Sequence, residues 1–235
     1  APGCYTSQAE MKRYNRRNEQ LADAAERSAV IADWMGAVPY PKEALNDAWK
    51  RFLWHQFHDD LTGTSIWEAY TYSWNDEFLA QGQFCDVILA SAGAAASVMD
   101  TRAKGSPVLV YNPAAYSRRS LVEATVDLPA EAEGVAVYAP DGKAVPAQIV
   151  ARDGARATVL FAAAMEPVSY AVYDVRAGKA GKGKVLRALG NTLENRVYKV
   201  TLDANGDIAS VIDKRNGRDL VEKGKAFRLA VLTPN

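Results

Sequence analysis

The chain has 235 residues, 49% of them hydrophobic and 24% charged, which is enough apolar material for a sizeable core and excludes general disorder. Lys and Arg number 28, as do Asp and Glu, so the net charge is zero and the basic footprint of a nucleic-acid or anionic-membrane binder is missing. There is no apolar run long enough to span a bilayer.

The opening Ala1-Pro2-Gly3, without Met, is what a processed product or a piece of a longer protein would show. From Ser7 onward the pattern is helical. Ser7-Gln8-Ala9-Glu10 reads as a capping box. Met11, Tyr14, Asn18, Leu21, Ala25, Ser28, Ala32 and Met35 then recur at spacings of three and four, the seam of a helix in a bundle. Residues 36–41 break the pattern, and Pro41 suits the start of a second helix whose stripe is Leu45, Trp49, Phe52 and Leu53. Leu61-Thr62-Gly63 interrupts again. Ser65-Ile66-Trp67-Glu68 reads as a second capping box, and Ile66, Tyr70, Phe84, Val87, Ile88 and Val98 mark a long third helix. Three helices with short connections predict an antiparallel bundle.

Past Gly105 the period becomes two. Short β-prone runs at 108–111, 121–126, 135–138, 158–161 and 170–175 are continued by 197–202 and 208–212. Asp141-Gly142, Asp153-Gly154, Asn205-Gly206 and Asn216-Gly217 supply the turns. The basic, glycine-rich stretch 177–184 reads as a solvated loop. A further strand is expected at 227–232, leaving an edge that more chain would cover. The fold expected is α+β: a three-helix bundle over residues 1–104, then an antiparallel β-sandwich-like domain over 105–235.

Cys4 and Cys85 suit neither a disulfide framework nor a thiolate zinc site. His55 and His58 are the only histidines, and they fall in Trp54-His55-Gln56-Phe57-His58-Asp59-Asp60-Leu61-Thr62-Gly63-Thr64-Ser65. Three readings of this stretch stand side by side. The two imidazoles could share a metal from one helix face at i, i+3; His58 alone could be a ligand with Asp59 beside it; or both could be structural, with the acids starting a turn.

The same stretch, His-Asp followed by x-Leu-Thr-Gly-Thr-Ser and preceded by Gln-Phe, resembles the signature of the middle domain of glycoside hydrolase family 38, the retaining α-mannosidases. Gly3-Cys4-Tyr5-Thr6-Ser7 with Lys12-Arg13-Tyr14-Asn15-Arg16 is similar to the segment leading from that family's catalytic barrel into its first bundle helix. Val110-Tyr111-Asn112-Pro113, with Leu193-Glu194-Asn195 and Asp213-Lys214-Arg215-Asn216-Gly217-Arg218, looks like the start of its C-terminal β domain. The resemblance implies that His58 is one ligand of a catalytic zinc and that Asp59 contacts substrate hydroxyls. Phe57 stands where the family often has a second histidine, and His55 matches no ligand and takes a structural role.

A catalytic zinc takes three protein ligands and keeps one position open. The resemblance therefore implies a zinc shared with a barrel that this chain does not include, which would also hold the nucleophile and the acid/base. By this reading the chain is a fragment of a zinc-dependent α-mannosidase, inactive alone, with the barrel and a terminal α-mannoside as its partners. The alternative is a non-catalytic carbohydrate-binding or assembly module, in which Trp34, Trp54, Trp67 and Trp74 could stack on sugars while Trp49 packs in the bundle.

Overall fold

The computed structural model describes residues 3–4, 6–179 and 186–228. Most of the expected loop at 177–184 and of the expected strand at 227–232 lies outside the described residues; Phe227 forms an isolated antiparallel bridge with Ile208. The order is α1 (Ala9–Trp34), α2 (Lys42–Trp54), a one-turn α3 (His58–Leu61) and α4 (Trp67–Val98), followed by strands alone. No helix among the described residues is long and apolar enough to cross a membrane.

The three long helices meet through alanines. Ala22, Ala25 and Ala29 of α1 face Leu45, Ala48 and Phe52 of α2 and Ala80, Phe84 and Val87 of α4. Small side chains on α1 let its neighbours approach closely, and the larger aromatics fill the remaining space. Trp49 is half-buried against this core, with its ring 5.7 Å from that of Phe84 in an edge-on arrangement. Met11, Asn18, Ala25, Ser28 and Ala32 of the expected seam are buried, but Tyr14 is only half-buried. Leu53, Ile66 and Val98, expected in the stripes, are exposed.

Neither capping box forms. The residue before α1 is Gln8, in a left-handed conformation, and Ser7 Oγ donates to Gly63 O at 2.9 Å. The N-cap of α4 is Ile66, while the Ser65 amide is drawn toward Asp59 O and Tyr70 OH. Ser7 is engaged by a residue far along the chain, and the Ser65 amide by two neighbours within six residues, so neither serine caps its helix. Pro41 precedes α2, and its carbonyl accepts from the Leu45 amide.

The strands form three sheets. The first comprises β1 (Ser106–Asn112), β7 (Ser169–Ala177), β3 (Val135–Tyr138) and β4 (Ala144–Val145), in that order. The second is β2 (Arg118–Asp127), β6 (Arg156–Met165) and β5 (Ala147–Asp153). These two share one core. Along β6 every second residue from Ala157 through Val159, Phe161 and Ala163 to Met165 is buried, and they meet Val110, Val135, Val137, Tyr173 and Val175 of the first sheet. The third sheet, in the order β12 (Arg218–Asp219), β11 (Ile208–Asp213), β10 (Tyr198–Leu202), β9 (Thr192–Glu194) and β8 (Arg187–Leu189), is likewise antiparallel.

The passage from helix to sheet is held by Asp174 of β7, whose carboxylate accepts from the amides of Lys104 and Gly105 at 3.1 and 2.9 Å. A Cβ on Gly105 would lie 2.2 Å from Val175 O, so the chain can enter β1 here only as glycine.

Candidate functional site

His58 and Asp59 stand on α3, between the end of α2 and the start of α4. Four residues make a helix with little stability of its own, so its direction must come from outside. The anchor is Asp60, which turns inward. Its carboxylate accepts from Ser73 Oγ of α4 at 2.9 Å and from His55 Nδ1 at 2.7 Å. The Tyr70 hydroxyl donates to Asp59 O at 3.1 Å. The amides of Thr64 and Ser65 return to the same carbonyl, closing the loop.

With Asp60 inside, the two preceding side chains face solvent. His58 is 77% exposed at its side chain, and its Nε2 lies 3.6 Å from Asp59 Oδ2. The Phe57 ring flanks the imidazole at 4.2 Å between centroids. Thr64 Oγ1 donates to Asp59 Oδ1 at 3.2 Å, steadying the carboxylate at the base of the loop. Asp59 and Asp60 thus point to opposite environments and cannot flank one substrate as a carboxylate pair.

The segments that carry the first two sequence signatures touch. Lys12 Nζ donates to the carbonyls of Ser7 and Thr62, the latter at 3.0 Å, and Gln56 Nε2 donates to Asn15 Oδ1 at 3.2 Å. Gly63 has φ +83°, and an added Cβ would lie 2.8 Å from Ser7 O, so the start of α1 seals the back of the loop. The third signature is structural. Asn112 is buried, donating to Tyr116 O and Glu166 O at 3.1 and 2.7 Å. Lys214 Nζ ties the turn after β11 to Glu194 Oε1 at 2.7 Å, joining the second and third stretches of that signature.

His55, treated in the sequence as structural, is buried between Asp60 and Asp76; Nε2 lies 3.2 Å from Asp76 Oδ2. Nothing in the local spacing announces this, because Asp76 and Ser73 belong to another helix. Of the tryptophans, Trp34, Trp54 and Trp67 are exposed, and Trp67 meets Trp74 edge-on at 5.8 Å.

No three His, Cys, Asp or Glu side chains cluster for a metal among the described residues. An exposed imidazole with a carboxylate beside it fits one corner of a zinc site, and the geometry leaves room for ligands approaching from outside the chain.

Residues 2–92 match the family model described as Alpha mannosidase middle domain. Alpha-mannosidase 2C1 of Mus musculus is 25% identical over 229 residues, which cover 94% of this chain and 19% of that protein. An alpha-mannosidase of Saccharomyces cerevisiae is 39% identical over 75 residues, 30% of this chain and 7% of its own length. A crystal structure of a protein in glycosyl hydrolase family 38 from Enterococcus faecalis shares the fold, with a TM-score of 0.72 at 22% identity over 92% of this chain and 30% of that one. The chain therefore spans at most about a fifth of the curated relatives it matches. The helical part is thus similar to the alpha-mannosidase middle domain, most of the chain is similar to a segment of curated alpha-mannosidases, and its fold is shared with a protein of glycosyl hydrolase family 38.

Proposed function

We propose that this chain is the part of a retaining, zinc-dependent α-mannosidase that brings His58 to the metal and Asp59 to the hydroxyls of a terminal α-mannoside. The observation that supports the reading is the pairing of an exposed His58 imidazole with the Asp59 carboxylate at 3.6 Å on a helix turned outward by Asp60. His58 Nε2 would hold zinc, which supplies charge to grip sugar hydroxyls. Asp59 accepts hydrogen bonds from substrate hydroxyls, and an ionised acceptor strengthens each of them.

A retaining glycosidase needs two carboxyl groups about 5–5.5 Å apart across the sugar. Asp60 is occupied by Ser73 and His55 inside the bundle, so it cannot partner Asp59 in that role. In this reading the nucleophile, the acid/base and the other zinc ligands come from the rest of the enzyme.

The test is hydrolysis of an aryl α-mannoside. The whole enzyme containing this chain should turn over, and Asp59→Asn should lower kcat/KM by about tenfold or more. The 235-residue chain alone should give no hydrolysis. Turnover by the isolated chain, or an Asp59→Asn enzyme as active as the wild type, would contradict the assignment.

A further inference from the structure

The histidine that the zinc reading leaves idle is the one held most firmly. His55, at the end of α2, is 4% exposed, and each ring nitrogen faces a carboxylate, Asp60 Oδ2 at 2.7 Å and Asp76 Oδ2 at 3.2 Å. Asp76 in turn holds Arg51 Nη1 through its other oxygen at 2.7 Å. Arg51, Asp76, His55, Asp60 and Ser73 thus form one chain of polar contacts that starts at the half-exposed side of α2 and α4, passes through α3 at Asp60 and ends on α4 at Ser73. An ionised carboxylate only accepts, so a protonated ring nitrogen of His55 donates to the acid it faces, and the ring lies between the two.

What this chain controls is direction. Residues two apart on a helix do not share a face, so fixing Asp60 toward the core sends His58 toward solvent. Phe57, at the N-terminal end of α3, offers no side-chain cap, and the helix has one turn. Without the His55 contact, Asp60 keeps only Ser73 as a side-chain partner. Being buried, it would have reason to swing out and rotate α3 with it. The Gly63 amide bonds Asp60 O, and the Thr64 and Ser65 amides bond Asp59 O, so these three amides report the placement of α3.

We propose that His55, acting through Asp60, is a positioning residue that sets the direction in which α3 presents His58 and Asp59. The use of that direction rests on the zinc reading above; the placement itself does not. His55 touches neither metal nor substrate in this account. Its contribution is to remove alternatives from a short helix before the ligand arrives, which is how a supporting contact raises the effectiveness of the group it orients.

The presence of only two histidines makes the test direct, because an isotope-labelled imidazole spectrum of the whole chain contains two rings. In the wild type, His55 Nδ1–H is expected as a slowly exchanging proton. Zn2+ alone, added as probe, is expected to move the His58 signals and leave those of His55 in place. His55→Gln is expected to speed exchange of the amides at 63–65 by about tenfold, as loss of one buried hydrogen bond would. The same variant should weaken the Zn2+ response of His58 several-fold while exchange in the β-sandwich stays as in the wild type. Asp76→Asn, a milder change that spares the core, should move both readouts the same way by less. Asp60→Asn keeps an oxygen to accept from His55 and should preserve the wild-type behaviour of His58.

Unchanged exchange at 63–65 in both His55→Gln and Asp76→Asn overturns the proposal. So does equal acceleration across bundle and sandwich, the mark of a histidine that serves stability alone. If His58→Ala leaves the zinc content of the whole enzyme unchanged while the loop still responds to His55→Gln, the zinc reading fails and the positioning role stands.

Discussion

Tyr111 and Tyr170 sit opposite one another on β1 and β7, stack at 4.7 Å, and both reach across to the same helix. Tyr111 OH donates to Ala24 O at 3.2 Å, and Tyr170 OH shares a hydrogen bond of 2.8 Å with Ser28. One turn on, Arg27 Nη1 donates to Pro113 O at 2.9 Å. The stacked pair is therefore the joint between the helical part and the sandwich. Burial pushes both phenols above their ordinary value, so they remain protonated through neutral and mildly alkaline pH.

Removing one hydroxyl from this joint should cost about 1 kcal/mol, because the Ser28 hydroxyl lies in a buried site and loses its partner in Tyr170→Phe. Urea unfolding of Tyr111→Phe, Tyr170→Phe and the double variant measures this. Since the rings touch, the two losses should not add simply. A Tyr170→Phe chain as stable as the wild type would mean that the joint is held by ring packing alone.

Glu77 gives the bundle a pH dependence. It is fully buried on α4, and Asn18 donates both to its carboxylate and, at 3.0 Å, to its backbone carbonyl. Burial pushes its carboxyl from 4.5 up to about 7, against the opposing hydrogen bond from Asn18. The folded chain then holds a proton that the unfolded chain releases, so this group's contribution is fully present below pH 4.5 and is lost as pH rises through about 7. Melting temperatures across that window should fall more steeply for the wild type than for Glu77→Gln. Parallel curves would show that Glu77 is charged throughout.

At Gly63 the backbone is left-handed, and Ser7 occupies the place of any side chain. Gly63→Ala should destabilise the chain by about 1–3 kcal/mol through strain and crowding together. The loss should appear first as faster amide exchange at Thr64 and Ser65, and an unaffected loop would contradict the role given to Ser7.

Val168, in the turn from β6 to β7, is β-branched yet has φ +42°, a conformation that costs an ordinary L-residue about 1–2 kcal/mol. Its amide is fixed to Ala114 O at 2.9 Å, which holds the turn in place. Asparagine tolerates this region, so Val168→Asn should raise stability by about 1 kcal/mol in urea unfolding. A loss instead would show that the valine side chain contributes more by packing than its backbone costs.

The sandwich was legible where a strand carries its own period. Residues 158–161 form a β-prone run, and in the structure burial alternates along the ten residues of β6. Four dipeptides ending in glycine mark real turns, at Gly142, Gly154, Gly206 and Gly217, all with positive φ. The strands that escaped are β4, β8, β9 and β12, two or three residues each, and β5, which follows Pro146 and carries a bulge near Ile149. Such strands are defined by the partner they pair with, and periodicity cannot reach them. In the site, spacing left the roles of His58 and Asp59 open, and only the resemblance to a family signature singled them out. The setting of His55 was not legible, because its partners come from α3 and from α4, and only packing brings them together. Ser7 shows the same effect in reverse: a local capping pattern gave way to Gly63, far along the chain.

The most direct test of the account is the zinc content of the whole enzyme after exhaustive dialysis, wild type against His58→Ala. The wild type should retain its metal, and His58→Ala should lose most of it while keeping the helical signal of the bundle. A His58→Ala enzyme that holds as much zinc as the wild type would contradict the central claim that this imidazole is a ligand.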